Sequence, residues 1–178
     1  MKRFLITILF GIFFSFSIYA KENKNILIVY FSKTGTTETV AKQIQNETEG
    51  DLFKIEVINP YPDEYRATTE QAKKELEENF YPALKEKVQN LEKYDTVFLG
   101  YPIWWGTMPM PVFTFLNENN LNGKKIIPFA THQGSGLGRS VEDLIKAVPN
   151  GKIEKNGIAV RGRTSQKNIN DWVKEVLN

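Results

Sequence analysis

A chain of 178 residues, 41% hydrophobic and 25% charged, has the size and composition of one globular domain, which excludes a disordered or collagen-like chain. With no cysteine and one histidine, it has no disulfides, thiolate metal sites, cysteine nucleophiles, iron–sulfur ligation or multi-histidine metal site. Setting aside Lys2 and Arg3, Lys+Arg and Asp+Glu balance at 21 each, and a neutral domain offers no electrostatic case for nucleic acid or an anionic membrane.

In chain order, Met1–Ala20 comes first: a cationic start at Lys2 and Arg3, the apolar run Phe4–Phe14, and small residues toward Ala20. This is the pattern of a cleaved signal peptide, leaving 21–178 as the mature domain. The competing reading is an uncleaved anchor, because Phe4–Ala20 reaches the lower limit of a bilayer-spanning helix; the chain touches a membrane only in that case. Export, to the periplasm or another extracytoplasmic space, then precedes folding, and any cofactor is acquired outside the cytoplasm.

Asn25–Phe31 is a continuous apolar run of strand length, the pattern of a central strand covered on both faces. Thr37–Glu49 places Val40, Ala41 and Ile44 at helical spacing and ends at Gly50. Phe53, Ile55 and Val57 alternate with polar residues, as in a strand nearer the edge. Asn59–Asn90 is long and irregular; Arg66–Asn79 in it is helical with a solvated, charge-laced face, and Pro82 starts a second short segment. Asp95–Gly100 and Lys125–Thr131 are two further strands, the latter in local conflict with Pro128. Val112–Leu116 and Val141–Val148 read as helices. Ile153–Val160 is a weaker strand interrupted by Lys155-Asn156-Gly157, and Ile169–Leu177 closes the chain as an amphipathic helix. Such alternation specifies a parallel sheet with helices on both sides, and ligands of such sheets bind beyond the carboxyl ends of the strands.

Three loops at those ends are unusual. Ser32-Lys33-Thr34-Gly35-Thr36-Thr37 carries four hydroxyls at a helix start, where free N–H groups and the helix dipole suit a phosphate. It lacks the Gly-Lys-Ser/Thr of a nucleoside triphosphate loop. One hydroxyl suffices for a cap; four exceed that need, although Glu38 would repel a dianion unless it points outward. Gly100 to Pro111 puts Pro102, Ile103, Trp104, Trp105 and Gly106 beside further prolines, a stiff aromatic wall suited to a flat ligand. Thr131-His132-Gln133-Gly134-Ser135-Gly136-Leu137-Gly138 spaces three glycines at alternate positions, allowing close backbone approach. Arg139 replaces the third glycine of a dinucleotide fingerprint, and His132 has no paired acid nearby to make it a general base.

Together these segments resemble flavodoxins and flavodoxin-like domains, from about Asn25 to the C-terminus, with Asn59-Pro60-Tyr61-Pro62 and the Met-Pro-x-Pro-Val element adding to the likeness. The resemblance implies a flavodoxin-like α/β three-layer sandwich with a five-stranded parallel sheet of order 2-1-3-4-5 and helices on both faces. It also implies flavin mononucleotide (FMN) as cofactor. Its phosphate would be held by the loop of Ser32, Lys33, Thr34, Gly35, Thr36 and Thr37. One side of the ring would be lined by Pro102, Ile103, Trp104, Trp105 and Gly106, and the other by Thr131, His132, Gln133, Gly134, Ser135 and Gly138. Ordinary flavodoxins are strongly acidic, whereas Gly100–Asn117 and Pro128–Val141 here hold no carboxylate. Fewer negative charges near the flavin are expected to depress its reduction potential less.

The function expected on this resemblance is electron transfer between redox partner proteins outside the cytoplasm. It requires no nucleophile, acid–base pair or metal in the chain. The alternatives are an FMN-dependent NAD(P)H:quinone or nitro-compound oxidoreductase, and a non-redox binding module on the same architecture.

Overall fold

The structure, a computed structural model, describes residues 25–178; the signal-peptide reading of Met1–Ala20 lies outside them. Ile26–Tyr30 (β1) is buried along its whole length. It pairs in parallel with Asp51–Lys54 (β2) on one side and Thr96–Pro102 (β3) on the other. β3 pairs with Lys125–His132 (β4), and β4 with both Lys152–Ile153 (β5) and Ile158–Arg161 (β6), again all parallel. The order β2-β1-β3-β4-β5 is the expected one.

Successive strand residues point to opposite faces, so β1 feeds two cores. Ile26, Ile28 and Tyr30 pack with Val40, Ala41 and Ile44 of Thr36–Thr48 (α1) and with Ile169, Trp172 and Val173 of Gln166–Leu177 (α5). Leu27 and Val29 serve the opposite layer, built from Met110–Glu118 (α3) and Ser140–Ala147 (α4) through Val112, Phe115, Leu116 and Leu144. Tyr65–Glu78 (α2) joins that layer through Ala72. α2 starts where the Glu64 carboxylate accepts N–H bonds from Arg66 and Ala67 at 2.8 and 2.5 Å, satisfying donors that a helix start leaves free.

The second strand is shorter than its alternation implies. It ends at Lys54, and Val57 instead bridges Leu84 in antiparallel fashion. Around that bridge Ile58 N–H bonds Ala83 O at 2.9 Å and Lys85 N–H bonds Glu56 O at 2.8 Å. The segment after Pro82 is therefore extended and covers the 56–58 backbone.

The fifth strand is split, and Pro128 accounts for the gap. Residues 124 and 126 turn their carbonyls toward the fifth strand, bonding Lys152 N–H at 2.9 Å and Glu154 N–H at 2.8 Å. Alternation points the backbone of Pro128 the same way, where it has no N–H to give. Pairing stops there and resumes at Phe129↔Ile158. Gly157 fills the gap; a Cβ on it would lie 2.6 Å from Pro128 O.

From β1 the chain winds to β2, while β3 lies on the other side of β1. The carboxyl ends of β1 and β3 thus flank the point where strand order reverses, which is where an open sheet of this type leaves a crevice.

Candidate functional site

The loop after β1 enters α1 through Gly35, which is left-handed at φ 84° and has no atom within 4 Å of where a Cβ would stand. No side chain caps this helix start. Within the loop, the Ser32 Oγ is buried and has no hydrogen-bond partner; a buried hydroxyl left unpaired costs about 1–3 kcal/mol. The other hydroxyls have protein contacts. Thr34 and Thr36 lie 3.4 Å apart, and Thr37 Oγ1 and Thr131 Oγ1 hydrogen-bond at 2.8 Å in a buried position. The last bond ties the start of α1 to the end of β4. Glu38 is held by Lys42 at 2.7 Å and Lys54 at 3.5 Å. The Lys42 hydrogen bond keeps its carboxyl below the ordinary carboxylate range, so its charge is compensated at the helix start. Lys33 reaches Asp63 at 3.6 Å and links this loop to the one before α2.

The tandem indoles behave oppositely. Trp104 N–H bonds Thr107 O at 2.9 Å, and Thr107 N–H bonds Trp104 O at 3.1 Å. The two residues between, Trp105 and Gly106, have φ 50° and 80°, as a type I′ turn demands. A bulky residue in that conformation is strained, and the turn throws the two rings apart. Trp104 packs edge-on against Phe31 at 5.5 Å and Tyr61 at 5.2 Å between centroids. Phe31 immediately precedes Ser32, so the aromatic loop and the hydroxyl loop adjoin. Trp105 stays 49% exposed; its Nε1–H bonds Thr69 O on α2 at 2.9 Å, and Lys73 lies 5.4 Å over its ring.

Pro102 ends β3, and Ile103 N–H bonds Thr131 O at 2.8 Å, joining the second loop to the third. In the third, His132 Nδ1 accepts N–H bonds from both Gly134 and Gly136 at 3.0 Å. By accepting both bonds, the ring nitrogen folds the glycine segment around the imidazole. Gln133 and Ser135 are exposed. Gly138 rests on the second loop: a Cβ there would stand 2.3 Å from Gly106 O, the carbonyl that accepts Arg139 N–H at 2.9 Å. Thr107 Oγ1 donates to Asp143 at 2.7 Å and Arg139 pairs with the same carboxylate at 3.0 Å. All three loops are thus brought together at the carboxyl ends of β1, β3 and β4. Among the described residues no group of three or more His, Asp or Glu side chains is placed to hold a metal ion.

Two parts of this region escape a sequence reading of the site. Tyr61, known from sequence only as a residue between two prolines, hydrogen-bonds the buried Glu75 of α2, which also accepts from Gln71 at 2.8 Å. Burial, with Glu75 adding, pushes the Tyr61 phenol well above its usual range. Beneath the second and third loops, Tyr101 is wholly buried and donates to Ser140 Oγ at 3.1 Å. Burial pushes its phenol up from 10.0 to about 12, slightly opposed by Ser140. Its stabilising contribution is complete below pH 10 and is lost as pH rises toward 12, a loss of about 3 kcal/mol. Denaturant unfolding across this range is expected to show that slope on top of the one the buried Tyr61 adds, and Tyr101→Phe to remove Tyr101's share alone; a Tyr101→Phe chain with the parent's slope would refute the assignment.

A family model described as flavodoxin matches residues 25–176. Among solved structures, a candidate flavoprotein of Bacteroides eggerthii is 34% identical, with 86% of this chain and 98% of that one covered at a TM-score of 0.76. A similar one from Bacteroides uniformis is 30% identical, with 84% and 97% covered and a TM-score of 0.77. At 22% identity, where likeness speaks for fold alone, a Lactobacillus acidophilus flavoprotein in complex with FMN aligns over 84% of this chain and 98% of its own, TM-score 0.69. Comparison with curated proteins finds no match. With its sheet order, its three converging loops and a family match spanning nearly all the described residues, the chain belongs to the flavodoxin family.

Proposed function

We propose that this protein binds FMN at the carboxyl ends of β1, β3 and β4 and transfers electrons between redox partner proteins. The observation that carries the reading is Ser32 Oγ, buried without a partner beside the uncapped start of α1. A phosphate oxygen supplies what that hydroxyl lacks, and the first N–H groups of α1 add donors and a favourable dipole. Thr34, Gly35 and Thr36 would complete the cradle. Thr37, whose hydroxyl is engaged with Thr131, would contribute its backbone N–H. The Trp104–Thr107 turn and the 131–139 segment would wall the ring and exclude water. FMN, when bound, supplies the redox chemistry, and the chain supplies position and shielding.

The Met1–Ala20 pattern supports an exported carrier, periplasmic or otherwise extracytoplasmic. Titration of the apo-protein with FMN, read by visible absorbance, tests the reading. Uptake is expected, with Ser32→Ala weakening affinity about ten-fold, the worth of a hydrogen bond to a charged group. A chain that stays colourless would overturn it, and rapid flavin reduction by NAD(P)H without a partner protein would assign the reductase instead.

A further inference from the structure

At the same end of the sheet lies a pair of cations that the FMN site does not use. Arg161 ends β6 and Arg163 follows across Gly162; both are exposed. Neither guanidinium has an ion pair or hydrogen bond among the described residues. Three carboxylates around the site are, by contrast, engaged. Asp63 pairs with Lys33, Glu38 with Lys42 and Lys54, and Asp143 with Arg139 and Lys146.

The fold sets Arg161 on the sheet face from which the glycine loop departs. Val160 packs into the layer of α1 and α5, so Arg161, the next residue on the strand, faces the other way. Thr131 likewise faces α1 through its bond to Thr37, which turns His132 to the face Arg161 shares. The two are direct register partners on β4 and β6. The turn beyond is anchored: Gln43 donates to Thr164 O at 3.0 Å, Gln166 to Gln43 O at 2.7 Å, and Ser165 caps α5 through Asn168 N–H at 3.2 Å.

This placement works against folding. Cations near a helix N-terminus oppose its dipole, yet α5 has no acid in its first turn, whereas α4 carries Glu142 and Asp143 in its own. β6 is an edge strand, and a charge that only blunts an edge serves with either sign. Before α5 a carboxylate would do that and stabilise the helix; the chain has guanidiniums instead. In a domain otherwise balanced in charge, this is a local positive field beside the loops.

We propose that Arg161 and Arg163 form the docking face for the redox partner, and that this partner is a protein with an acidic surface around its own redox centre. The inference rests on the FMN reading above. A positive rim steers such a partner in and orients it with the exchanging group toward the loops, an effect on encounter rate that salt removes.

The test uses FMN-loaded, photoreduced protein and two one-electron oxidants of opposite charge, ferricyanide and hexaammineruthenium(III), followed by stopped-flow at low and high salt. In the R161E/R163E variant at low salt, oxidation by ferricyanide is expected to slow about ten-fold and oxidation by the ruthenium cation to quicken. Both differences should vanish at high salt. The neutral R161Q/R163Q variant should fall between, and serves if the reversed pair folds poorly. Poly-L-glutamate, as an acidic polypeptide, should slow the ferricyanide reaction of the parent protein and leave that of the reversed variant unchanged. Variants that hold FMN yet match the parent with both oxidants, or a parent indifferent to poly-L-glutamate, would overturn the docking face. Failure of the FMN reading is separate, since that protein never takes up colour.

Discussion

Gly100→Ala is expected to melt about 10 °C below the parent chain. Gly100 lies in β3 directly across from Phe129 of β4, and the ring occupies the space a side chain would need. A Cβ at residue 100 would meet ring atoms of Phe129 at 2.0, 2.3 and 2.7 Å. Phe129 has no exposed surface and packs within the core that α1 and α5 close, so it has nowhere to retreat. Overpacking of this kind costs about 3 kcal/mol, which in a domain of this size gives the stated drop. Thermal unfolding followed by circular dichroism measures it. Phe129→Leu placed on top of Gly100→Ala should recover part of the loss, because the two substitutions share one contact. A single variant that melts with the parent would show that the ring does not lie over the glycine.

Gly138→Ala is expected to weaken FMN binding beyond the backbone strain that it shares with other left-handed positions. Residue 138 is exposed, so little core is at stake, but its backbone is left-handed at φ 55° and its Cβ would strike Gly106 O. That collision pushes the third loop off the second and strains the Arg139–Gly106 bond that joins them. The loosened loop contact and its lost hydrogen bond amount to about a ten-fold loss of FMN affinity, measured by titration of the apo-protein. Gly123→Ala is the control. Residue 123 is also left-handed, at φ 74°, but has nothing within 4 Å of its Cβ position and lies before β4, away from the three loops. It should carry the same strain without the effect on FMN. Equal losses in both would mean that strain alone, not loop contact, sets the affinity.

Local patterns carry the frame of this molecule because most of it obeys them. The unbroken run Asn25–Phe31 marks a strand covered on both sides, and the three loops could be ordered from strand–helix alternation alone. What sequence reading misses depends on distant partners. Val57 leaves the sheet because Leu84 waits for it, and no window around residue 57 contains that fact. Pro128 reads as a defect of its own strand, yet β4 runs through it intact and the cost falls on the neighbour. Glu38 looks hostile to a phosphate until Lys54 arrives from β2 to offset it. The Thr37 hydroxyl looks free until its partner is found 94 residues away. Trp104 and Trp105 are alike in sequence and adjacent, and their different surroundings follow from the left-handed turn that Trp105 and Gly106 form.

The gap opposite Pro128 also bears on how copies of this chain behave in company. Fibrils and sheet-extended dimers grow where an incoming strand can zip along a long, uninterrupted row of backbone donors and acceptors. Here that margin offers two residues, a break, then four. A proline and a glycine that complicate one strand thereby deprive aggregation of a template on this side of the molecule.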